Sequence, residues 1–316
     1  MDLKDKTILV TGGHGFLGKP LIKMLENKGA KEIIAPKRKE YNLVKEGDVK
    51  KLFEKYKPDV VIHAAARVGG IEYNRKNPGS VYYENAMMNN LIVHYSYLAK
   101  VKKFVGIGSV CAYPKIVKTP TKEEMLWDGY PEETNAPYGM AKKMMLVQLQ
   151  AYREQYGFDG VYLLQVNLYG PGDHFNDKDS HVIGAMVYKF DKAKEEGKGE
   201  VVLWGDGSPT REFLYVDDAA RAIVMAAEKL ESGEAVNIGS GEEISIKKLA
   251  EIVSKEIGYE GEIKWDTSKP NGQPRRLFDS SKAKKLFGFE AKVKFNEGLK
   301  KTIEWYMENK GEVVGK

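Results

Sequence analysis

Short runs of β-branched and other apolar residues alternate with helix-like segments through the first half of this chain. Strands are predicted at TILVTGG, KEIIAP, DVVIHAAA and KFVGIGSV, with helical segments between them that include one from Phe16 and a long one near Asn85 to Lys100. A predicted helix over 136–156 and a predicted strand GVYLLQVNLYG continue the alternation. Strands that alternate with helices form βαβ units, whose strands are parallel. We therefore predict an α/β fold built on a doubly wound parallel sheet.

The alternation ends at YGPGDHFNDKDSH, where Gly, Pro and Asp accumulate. The remaining sequence mixes strands and helices in another order, with helices predicted from Asp217, from Ser245 and over NEGLKKTIEWYMEN. We interpret this change as a second, smaller and discontinuous α/β domain. The expected division is 1–168 plus 212–241 for the first domain and 169–211 plus 242–316 for the second.

The composition is that of an ordinary globular protein, because the 316 residues are 42% hydrophobic and 30% charged. A single cysteine excludes an internal disulfide, and the N-terminus enters a strand without the apolar region of a secretion signal. No apolar stretch approaches the roughly 20 residues that span a bilayer. We therefore expect a cytoplasmic protein with no membrane role.

The net charge of +5 comes from lysines spread over helices such as DVKKLFEKYK, where they fall between regularly spaced apolar residues. This pattern indicates solvated helix faces. A nucleic-acid surface would cluster basic residues with interleaved aromatic residues or carry a known motif. The sequence has neither, so we expect no nucleic-acid partner.

The turn after the first strand reads TGGHGFLG, in which Gly12, Gly15 and Gly18 have G-x-x-G-x-x-G spacing. Glycines let such a turn tighten and approach a pyrophosphate, which then lies at the N-terminal end of the next helix. We predict a Rossmann-type dinucleotide site here, with Phe16 and Leu17 part of it. The alternative is a tight strand-to-helix turn without a ligand.

The segment IIAPKRKEYN, after the second predicted strand, bears on the choice between NAD and NADP. An acidic residue in this region binds the ribose 2′-hydroxyl of NAD. Lys37, Arg38 and Lys39 would instead offer cations to a 2′-phosphate, so the sequence favours NADP. The alternatives are that these are solvated loop residues, or that Glu40 approaches a hydroxyl.

A second constellation combines Tyr138 and Lys142, whose four-residue spacing places them on one face of a helix. The ammonium is expected to lower the pKa of the phenol, so that the tyrosine can exchange a proton with an alcohol or ketone. Ser109 ends a predicted sheet strand, where ligands of open α/β sheets bind, and can hydrogen-bond the same oxygen. These three residues are predicted to be catalytic.

With these motifs the chain resembles the extended short-chain dehydrogenase/reductase family. The catalytic triad of that family is matched by Ser109, Tyr138 and Lys142. The resemblance covers nearly the whole chain. Narrower segments are similar to the GDP-L-fucose synthase branch: AARVGGIEYN, GSVCAYPK, NAPYGMAKK, NLYGP, DSHVIGAMVYKF, PTREFLYVDD and PRRLFD. This similarity implies conversion of GDP-4-keto-6-deoxy-D-mannose to GDP-L-fucose, by epimerisation at C3 and C5 and reduction at C4 with NADPH, in a homodimer.

The same resemblance assigns epimerisation to Cys111 and His181. A ketone at C4 acidifies the hydrogens at C3 and C5, so one group removes a proton and another protonates the opposite face. Cysteine and histidine, with pKa values of about 8.5 and about 6.5, can exchange protons near neutrality. By itself, a lone cysteine is expected to be a small core residue. Of the other histidines, His63 and His94 are expected to be structural.

Further binding residues are implied by the resemblance alone. At the cofactor they are, besides the glycine turn and Arg38, Asn42, Leu43, Ala64, Ala65, Ala66, Tyr138 and Lys142. At the nucleotide sugar they are Asn167, Lys189, Trp204, Arg211 and Arg276. Bidentate arginine suits a diphosphate. Lys189 replaces an arginine that is frequent in the family, and Trp204 is alternatively a core residue.

The loop GDHFNDKDSH gathers Asp173, His174, Asp177, Asp179 and His181. Neither zinc-site nor EF-hand spacing is satisfied, so no metal is expected. Two other enzymatic functions stay open, which are the same chemistry on a dideoxy or heptose analogue and an NAD-dependent nucleotide-sugar 4-epimerase. A non-enzymatic dinucleotide-binding regulator is disfavoured, because a sensor has no need of two proton donors.

Overall fold

The structure, a computed structural model, describes residues 1–176, 180–269 and 271–313. Its strands are Thr7–Thr11 (β1), Glu32–Ile34 (β2), Val60–His63 (β3), Lys103–Ser109 (β4), Gly160–Gln165 (β5), Asn167–Tyr169 (β6), Glu200–Trp204 (β7), Thr210–Tyr215 (β8), Ala235–Ile238 (β9), Glu243–Ser245 (β10) and Glu262–Asp266 (β11). Its α-helices are Gly18–Asn27 (α1), Glu46–Tyr56 (α2), Ile71–Lys76 (α3), Pro78–Leu98 (α4), Ala136–Tyr156 (α5), Val182–Glu195 (α6), Val216–Lys229 (α7), Ile246–Ile257 (α8), Ser281–Phe287 (α9) and Phe295–Val313 (α10). Short 3₁₀ turns lie at Val110–Ala112 and Glu123–Trp127.

Six strands form one parallel sheet in the order β2-β1-β3-β4-β5-β9. The chain adds β2 on one side of β1 and then returns to add β3 on the other side, so the strand order reverses between β1 and β3. Ligands of open α/β sheets bind at the carboxyl ends of the strands at such a reversal. β3 and β5 are buried along their whole length, as expected where helices cover both faces. The predicted doubly wound α/β fold is confirmed.

The remaining strands form two small sheets. β8 pairs antiparallel with β10 and parallel with β6, and β7 pairs parallel with β11. They share a buried cluster with α6, α8 and α10, which includes Phe175, Phe190 and Tyr306. The main cluster surrounds the six-stranded sheet and also contains Phe287 of α9. The domain boundaries expected from the sequence stay a prediction.

Two boundaries differ from the sequence-based prediction. GVYLLQVNLYG is predicted as one strand, but it forms β5 and β6, which belong to different sheets and are separated by Val166. The helix predicted from Phe16 begins at Gly18, because the glycine turn includes the residues before it. No helix in the described ranges is long and apolar enough to cross a membrane.

Candidate active site

The glycine turn between β1 and α1 is built so that only glycine fits at two positions. Gly12 has a φ of +75°, and a Cβ on it would lie 2.8 Å from the backbone nitrogen of Ala65. A Cβ on Gly18 would lie 2.2 Å from the carbonyl oxygen of Gly12. Gly15 is exposed on the outer side of the turn. The turn thus lies close to neighbouring backbone on one side and is open on the other, a cradle that fits a pyrophosphate at the start of α1.

The loop after β3 is attached to this turn by hydrogen bonds. The backbone N–H of Ala64 donates to the carbonyl of Thr11 over 3.2 Å, and that of Ala65 donates to the Thr11 hydroxyl over 3.3 Å. Ala66 follows them and is exposed. The three alanines predicted to contact the cofactor therefore lie beside the glycine turn at the carboxyl edge of the sheet.

The loop after β2 completes the predicted cofactor site. Arg38 is exposed and forms an ion pair of 3.2 Å with Glu84 of α4. Asn42 is half-buried and Leu43 is buried. His14 reaches from the glycine turn to a backbone carbonyl at the end of β2, at 2.8 Å. Residues predicted from three separate loops are thus brought to one edge of the sheet.

The predicted triad converges at the end of β4. Tyr138 and Ser109 share a hydrogen bond between their hydroxyl groups. The Ser109 hydroxyl also accepts the backbone N–H of Cys111 over 3.2 Å. The ammonium of Lys142 lies 5.7 Å from the centroid of the Tyr138 ring. A Cβ on Gly139 would lie 2.2 Å from the carbonyl oxygen of Cys111, so glycine next to Tyr138 lets α5 lie directly on the cysteine turn.

The expectation that the pKa of Tyr138 is lowered was wrong. Burial raises the pKa of Tyr138, the charge of a Cys111 thiolate raises it further, and the Ser109 hydrogen bond only partly opposes them. Burial also lowers the pKa of Lys142 to about 8. The loss of hydration is therefore the largest influence on the pKa of both side chains. Tyr138 is a protonated acid at neutral pH.

Cys111 lies in the short turn Val110–Ala112 between these groups. The cysteine is a free thiol and is half-buried, whereas its neighbours Val110 and Ala112 are buried. A negative charge on it would raise the pKa of Tyr138. The cysteine therefore packs partly against the main core and lies at the predicted active site.

His181 is in a different part of the chain, directly before α6. The residue is exposed, but nearby protein atoms remove part of the hydration of its ring and thereby lower its pKa. The charge of His174 lowers this pKa further. In the described ranges, no hydrogen bond joins it to the group around Cys111. Burial raises the pKa of nearby Asp173 to about 7, against the hydrogen bond from the backbone of His174.

The predicted absence of a metal concerns the same loop. Asp177 and Asp179, which the sequence analysis considered with His181, lie outside the described residues. Among the residues that the structure does describe, no group of three metal-ligating side chains occurs. The prediction of no metal site stays a prediction.

Two of the predicted nucleotide-binding residues form a cationic pair. Burial lowers the pKa of Arg211 to about 10, and the charge of Arg276 adds to this shift. Arg276 donates a hydrogen bond from its Nε to the side-chain oxygen of Gln273. Over the described part of the chain, neither guanidinium has a carboxylate partner. Two half-buried cations without a counter-charge are suited to an anion such as a diphosphate.

The other predicted substrate residues are more dispersed. Trp204 is 58% exposed at the end of β7, so the alternative of a core tryptophan is wrong. The ammonium of Lys269 lies 6.0 Å from the centroid of its ring. Lys189 is half-buried on α6, and Asn167 is half-buried at the start of β6.

A buried hydrogen-bond chain, which the sequence does not reveal, joins the cofactor turn to α5. The hydroxyl of Thr11 lies 2.7 Å from Nδ1 of His63, and Nε2 of His63 lies 2.9 Å from Oδ1 of Asn89. The amide of Asn89 donates to the carbonyl of Ala141, next to Lys142, over 2.9 Å. His63 therefore has the structural role expected of it. We call this the Thr11–His63–Asn89 chain.

Comparison with known proteins agrees with this arrangement. The family model for the NAD dependent epimerase/dehydratase family matches residues 8–239. GDP-L-fucose synthase 1 of Arabidopsis thaliana is 41% identical over 309 residues, which are 98% of this chain and 95% of that protein.

Solved structures match over almost the whole chain. A GDP-L-fucose synthetase from Naegleria fowleri bound to NADP superposes with a TM-score of 0.89 at 31% identity, covering 98% of this chain and 96% of the other. A GDP-6-OMe-4-keto-L-xylo-heptose reductase from C. jejuni gives a TM-score of 0.91 at 30% identity, covering 98% and 99%. The family resemblance inferred from the sequence motifs is confirmed. The chain belongs to the NAD-dependent epimerase/dehydratase family.

Proposed function

We propose that this protein converts GDP-4-keto-6-deoxy-D-mannose to GDP-L-fucose. The observation that carries the proposal is the contact of Tyr138, Ser109 and Cys111 at the sheet edge, because it joins a phenol and a thiol, the groups that C4 reduction and epimerisation need. The Arabidopsis relative and the Naegleria structure, whose names specify GDP-L-fucose formation, support this substrate. The predicted class of enzyme, an NADP-dependent epimerase/reductase, and its cofactor are confirmed by the same two proteins.

The reduction needs a hydride donor and a proton donor. The glycine turn and the exposed guanidinium of Arg38 would hold the pyrophosphate and the 2′-phosphate of NADPH, which supplies a hydride to C4 when bound. Tyr138 gives its proton to the C4 oxygen, because burial keeps the hydroxyl protonated and the hydrogen bond with Ser109 orients it. The ammonium of Lys142, which lies over the ring, stabilises part of the negative charge that then develops on the phenol oxygen.

The epimerisations need a base and an acid on opposite faces of the sugar ring. One of Cys111 and His181 removes the proton at C3 or C5, and the C4 ketone takes the electron pair as an enolate. The other returns a proton to the opposite face, which inverts the carbon. The lowered pKa of His181 leaves the imidazole neutral at pH 7 and ready to accept a proton.

The nucleotide end of the substrate meets the cationic pair. Arg211 and Arg276, whose guanidinium groups have no carboxylate partner among the described residues, bind the diphosphate. The exposed face of Trp204 offers a surface for the base, and Asn167 and Lys189 add polar contacts to the sugar nucleotide. A lysine supplies charge without the two-pronged geometry of an arginine, so Lys189 binds the phosphate less specifically.

A related reaction on a heptose is the second candidate. The C. jejuni neighbour, whose title names a GDP-4-keto-heptose reductase, matches this fold as well as the fucose synthetase does. Such an enzyme would use the same triad and the same diphosphate site. It would differ in the sugar that it accepts at C5 and C6.

A homodimer is part of the proposal. α4 and α5 pack together, and each carries a partly exposed apolar stripe at helical spacing. The stripes adjoin, because the amide of Asn90 lies 3.9 Å from the sulfur of Met144. We propose that a second copy of the chain covers this surface. Its apolar members are Tyr83, Met87, Leu91 and Leu98 on α4 and Met140, Met144 and Val147 on α5.

The deciding experiment mixes the purified protein with NADPH and GDP-4-keto-6-deoxy-D-mannose. We expect NADPH absorbance to fall and NMR of the product to show GDP-L-fucose. Tyr138→Phe should lower the rate of NADPH oxidation by about 10²-fold or more, the usual loss of a general acid. Consumption of NADPH only with a 4-keto-heptose nucleotide would favour the second candidate, and no consumption with either sugar would reject both.

A further inference from the structure

Two arginines from different loops converge on one carboxylate at the predicted cofactor site. Nη2 of Arg38, after β2, lies 3.2 Å from Oε2 of Glu84. Nη1 of Arg67, after β3, pairs with the other carboxylate oxygen. β2 and β3 flank β1 in the sheet, so this triplet spans the edge that carries the glycine turn.

The two arginines are held very differently. Nε of Arg67 donates to the hydroxyl of Tyr73 over 2.6 Å, and the Arg67 backbone N–H and carbonyl both hydrogen-bond the side chain of Asn85. Its side chain is 31% exposed, whereas that of Arg38 is 67% exposed. In the described part of the chain, Glu84 is the only side-chain partner of Arg38. Because the Arg38 side chain is largely exposed, its guanidinium is hydrated again when it leaves, so Arg38 can leave Glu84 at little cost while Arg67 stays.

We propose that Arg67 determines the preference for NADPH by neutralising Glu84, so that Arg38 is available to the 2′-phosphate. This inference rests on the proposed role of Arg38. Because Arg38 contacts Glu84, a phosphate bound by Arg38 lies no further from the Glu84 carboxylate than the length of one side chain. With Arg67 in place, the three side chains carry one net positive charge. Without it, Arg38 and Glu84 form a neutral pair, and the phosphate meets a carboxylate that repels it.

The charge count predicts a specific pattern of binding. Arg67→Gln should weaken NADPH binding by about tenfold, the scale of one charge-assisted contact, and leave NADH binding almost unchanged. Glu84→Gln should strengthen NADPH binding, because the Glu84 carboxylate then no longer competes with the 2′-phosphate for Arg38. The double variant Arg67→Gln/Glu84→Gln should regain NADPH binding, a rescue that a merely structural role of Arg67 does not produce.

The test measures the dissociation constants of NADPH and NADH for the protein without substrate, by calorimetric titration. Arg67→Lys keeps the charge and should keep the preference, and Arg67→Met, which also removes the charge, replaces Arg67→Gln if that variant does not fold. Glu54→Gln is the matched control, because it removes an exposed carboxylate of α2 that pairs with Lys50 and is not among the predicted cofactor residues. Its effect on NADPH binding should be much smaller than that of Glu84→Gln.

Two results would overturn the inference. One is an equal loss of NADPH and NADH binding in Arg67→Gln, and the other is the absence of rescue in the double variant. Arg38→Ala separates this failure from that of the cofactor assignment. If Arg38→Ala loses NADPH selectively while Arg67→Gln behaves as the wild type, only the role of Arg67 and Glu84 is wrong. If Arg38→Ala binds both cofactors as before, the role of Arg38 is wrong, and the inference fails with it.

Discussion

The role of Cys111 can be tested by changing one atom, because serine replaces its sulfur by oxygen. Each deprotonation and reprotonation in D₂O leaves deuterium on the carbon, whereas reduction takes no label from solvent at C3 or C5. We expect Cys111→Ser to lower deuterium incorporation at both carbons by about 10²-fold or more, because a hydroxyl is too weakly acidic to exchange protons near neutrality. NMR of the product measures the label.

His181→Gln is the companion variant. Without the second proton-exchanging group, the carbon is either not deprotonated or is reprotonated on the face from which it lost its proton, so this variant should also impair inversion. Both variants should still bind NADPH and reduce C4 slowly. If Cys111→Ser took up label and inverted both carbons at the wild-type rate, the cysteine would be a packing residue.

Lys142 links the active site to stability. Burial lowers its pKa to about 8, whereas an unfolded chain has a lysine pKa of about 10.4. Between these values the unfolded chain binds more protons than the folded protein does. The neutral lysine therefore contributes its full stability above the unfolded pKa, and this contribution is lost as the pH falls through the folded pKa. Lys142→Met should therefore be relatively more stable than the wild type at pH 7 than at pH 9.5, by about 2 kcal/mol.

Urea unfolding of both proteins at the two pH values measures this difference. Lys51→Met, which removes an exposed lysine, is the control for the loss of a charge. A stability difference that does not change with pH would contradict the lowered pKa of Lys142. Activity serves as an independent readout, because the variant lacks the cation behind Tyr138.

Sequence reasoning at this scale succeeded where the signal was local. Tyr138 and Lys142 are one helical turn apart, and Ser109 ends a strand, so their grouping follows from spacing and topology. The pKa of Tyr138 was predicted in the wrong direction, because hydration is lost only when the helix is packed on the sheet. The contact of Arg67 with Glu84 was missed for a similar reason, since nothing in the sequence relates the two positions.

At the scale of elements, the Thr11–His63–Asn89 chain connects β1, β3, α4 and α5. Burial lowers the pKa of His63 to about 3, and the charge of Lys142 lowers it further. Unfolded histidine has a pKa of about 6.5. The neutral imidazole therefore stabilises the fold above the unfolded pKa, and this contribution is lost as the pH falls toward the folded pKa.

The buried His63 of the Thr11–His63–Asn89 chain predicts how acid changes the stability of the protein. Between pH 6.5 and pH 4, the wild type should lose about 3 kcal/mol more of its free energy of unfolding than His63→Gln does. Denaturant titrations across this pH range measure both curves, and His94→Gln is the control for the loss of an imidazole. Parallel curves for the wild type and His63→Gln would show that His63 does not cause the acid sensitivity.

Element boundaries were harder to predict than element types. α4 was predicted from about Asn85, but it begins at Pro78, a residue that favours the first turn of a helix. The run from Gly160 to Tyr169 is apolar throughout, and an apolar pattern does not show that the chain passes to another sheet at Val166. Pairing across sheets is decided by partners distant in sequence, such as β8 for β6.

At the scale of the molecule, the chain divides its apolar residues between two buried clusters. Phe287 and Phe289 join the cluster around the large sheet, whereas Leu299 of α10, further along the chain, belongs to the other. The buried members of both clusters are apolar, so the sequence predicts a discontinuous second unit but not which late segments return to the first.

The apolar stripes on α4 and α5 predict the oligomeric state. Covering them requires a partner surface of the same kind, and a stable interface buries about 1,200–2,000 Å² in total. Val147 is 48% exposed and Leu98 is 53% exposed, so a charge can be introduced at either position without entering the core. We expect the wild type to sediment as a dimer and Val147→Glu to sediment as a monomer, because the second copy would have to bury the carboxylate. Ile116→Glu is the matched control, since Ile116 is 89% exposed and lies in a loop outside both helices. A monomeric wild type, or a dimer that persists in Val147→Glu and Leu98→Glu, would remove α4 and α5 as the interface, whereas a monomer only in these two variants would locate it there.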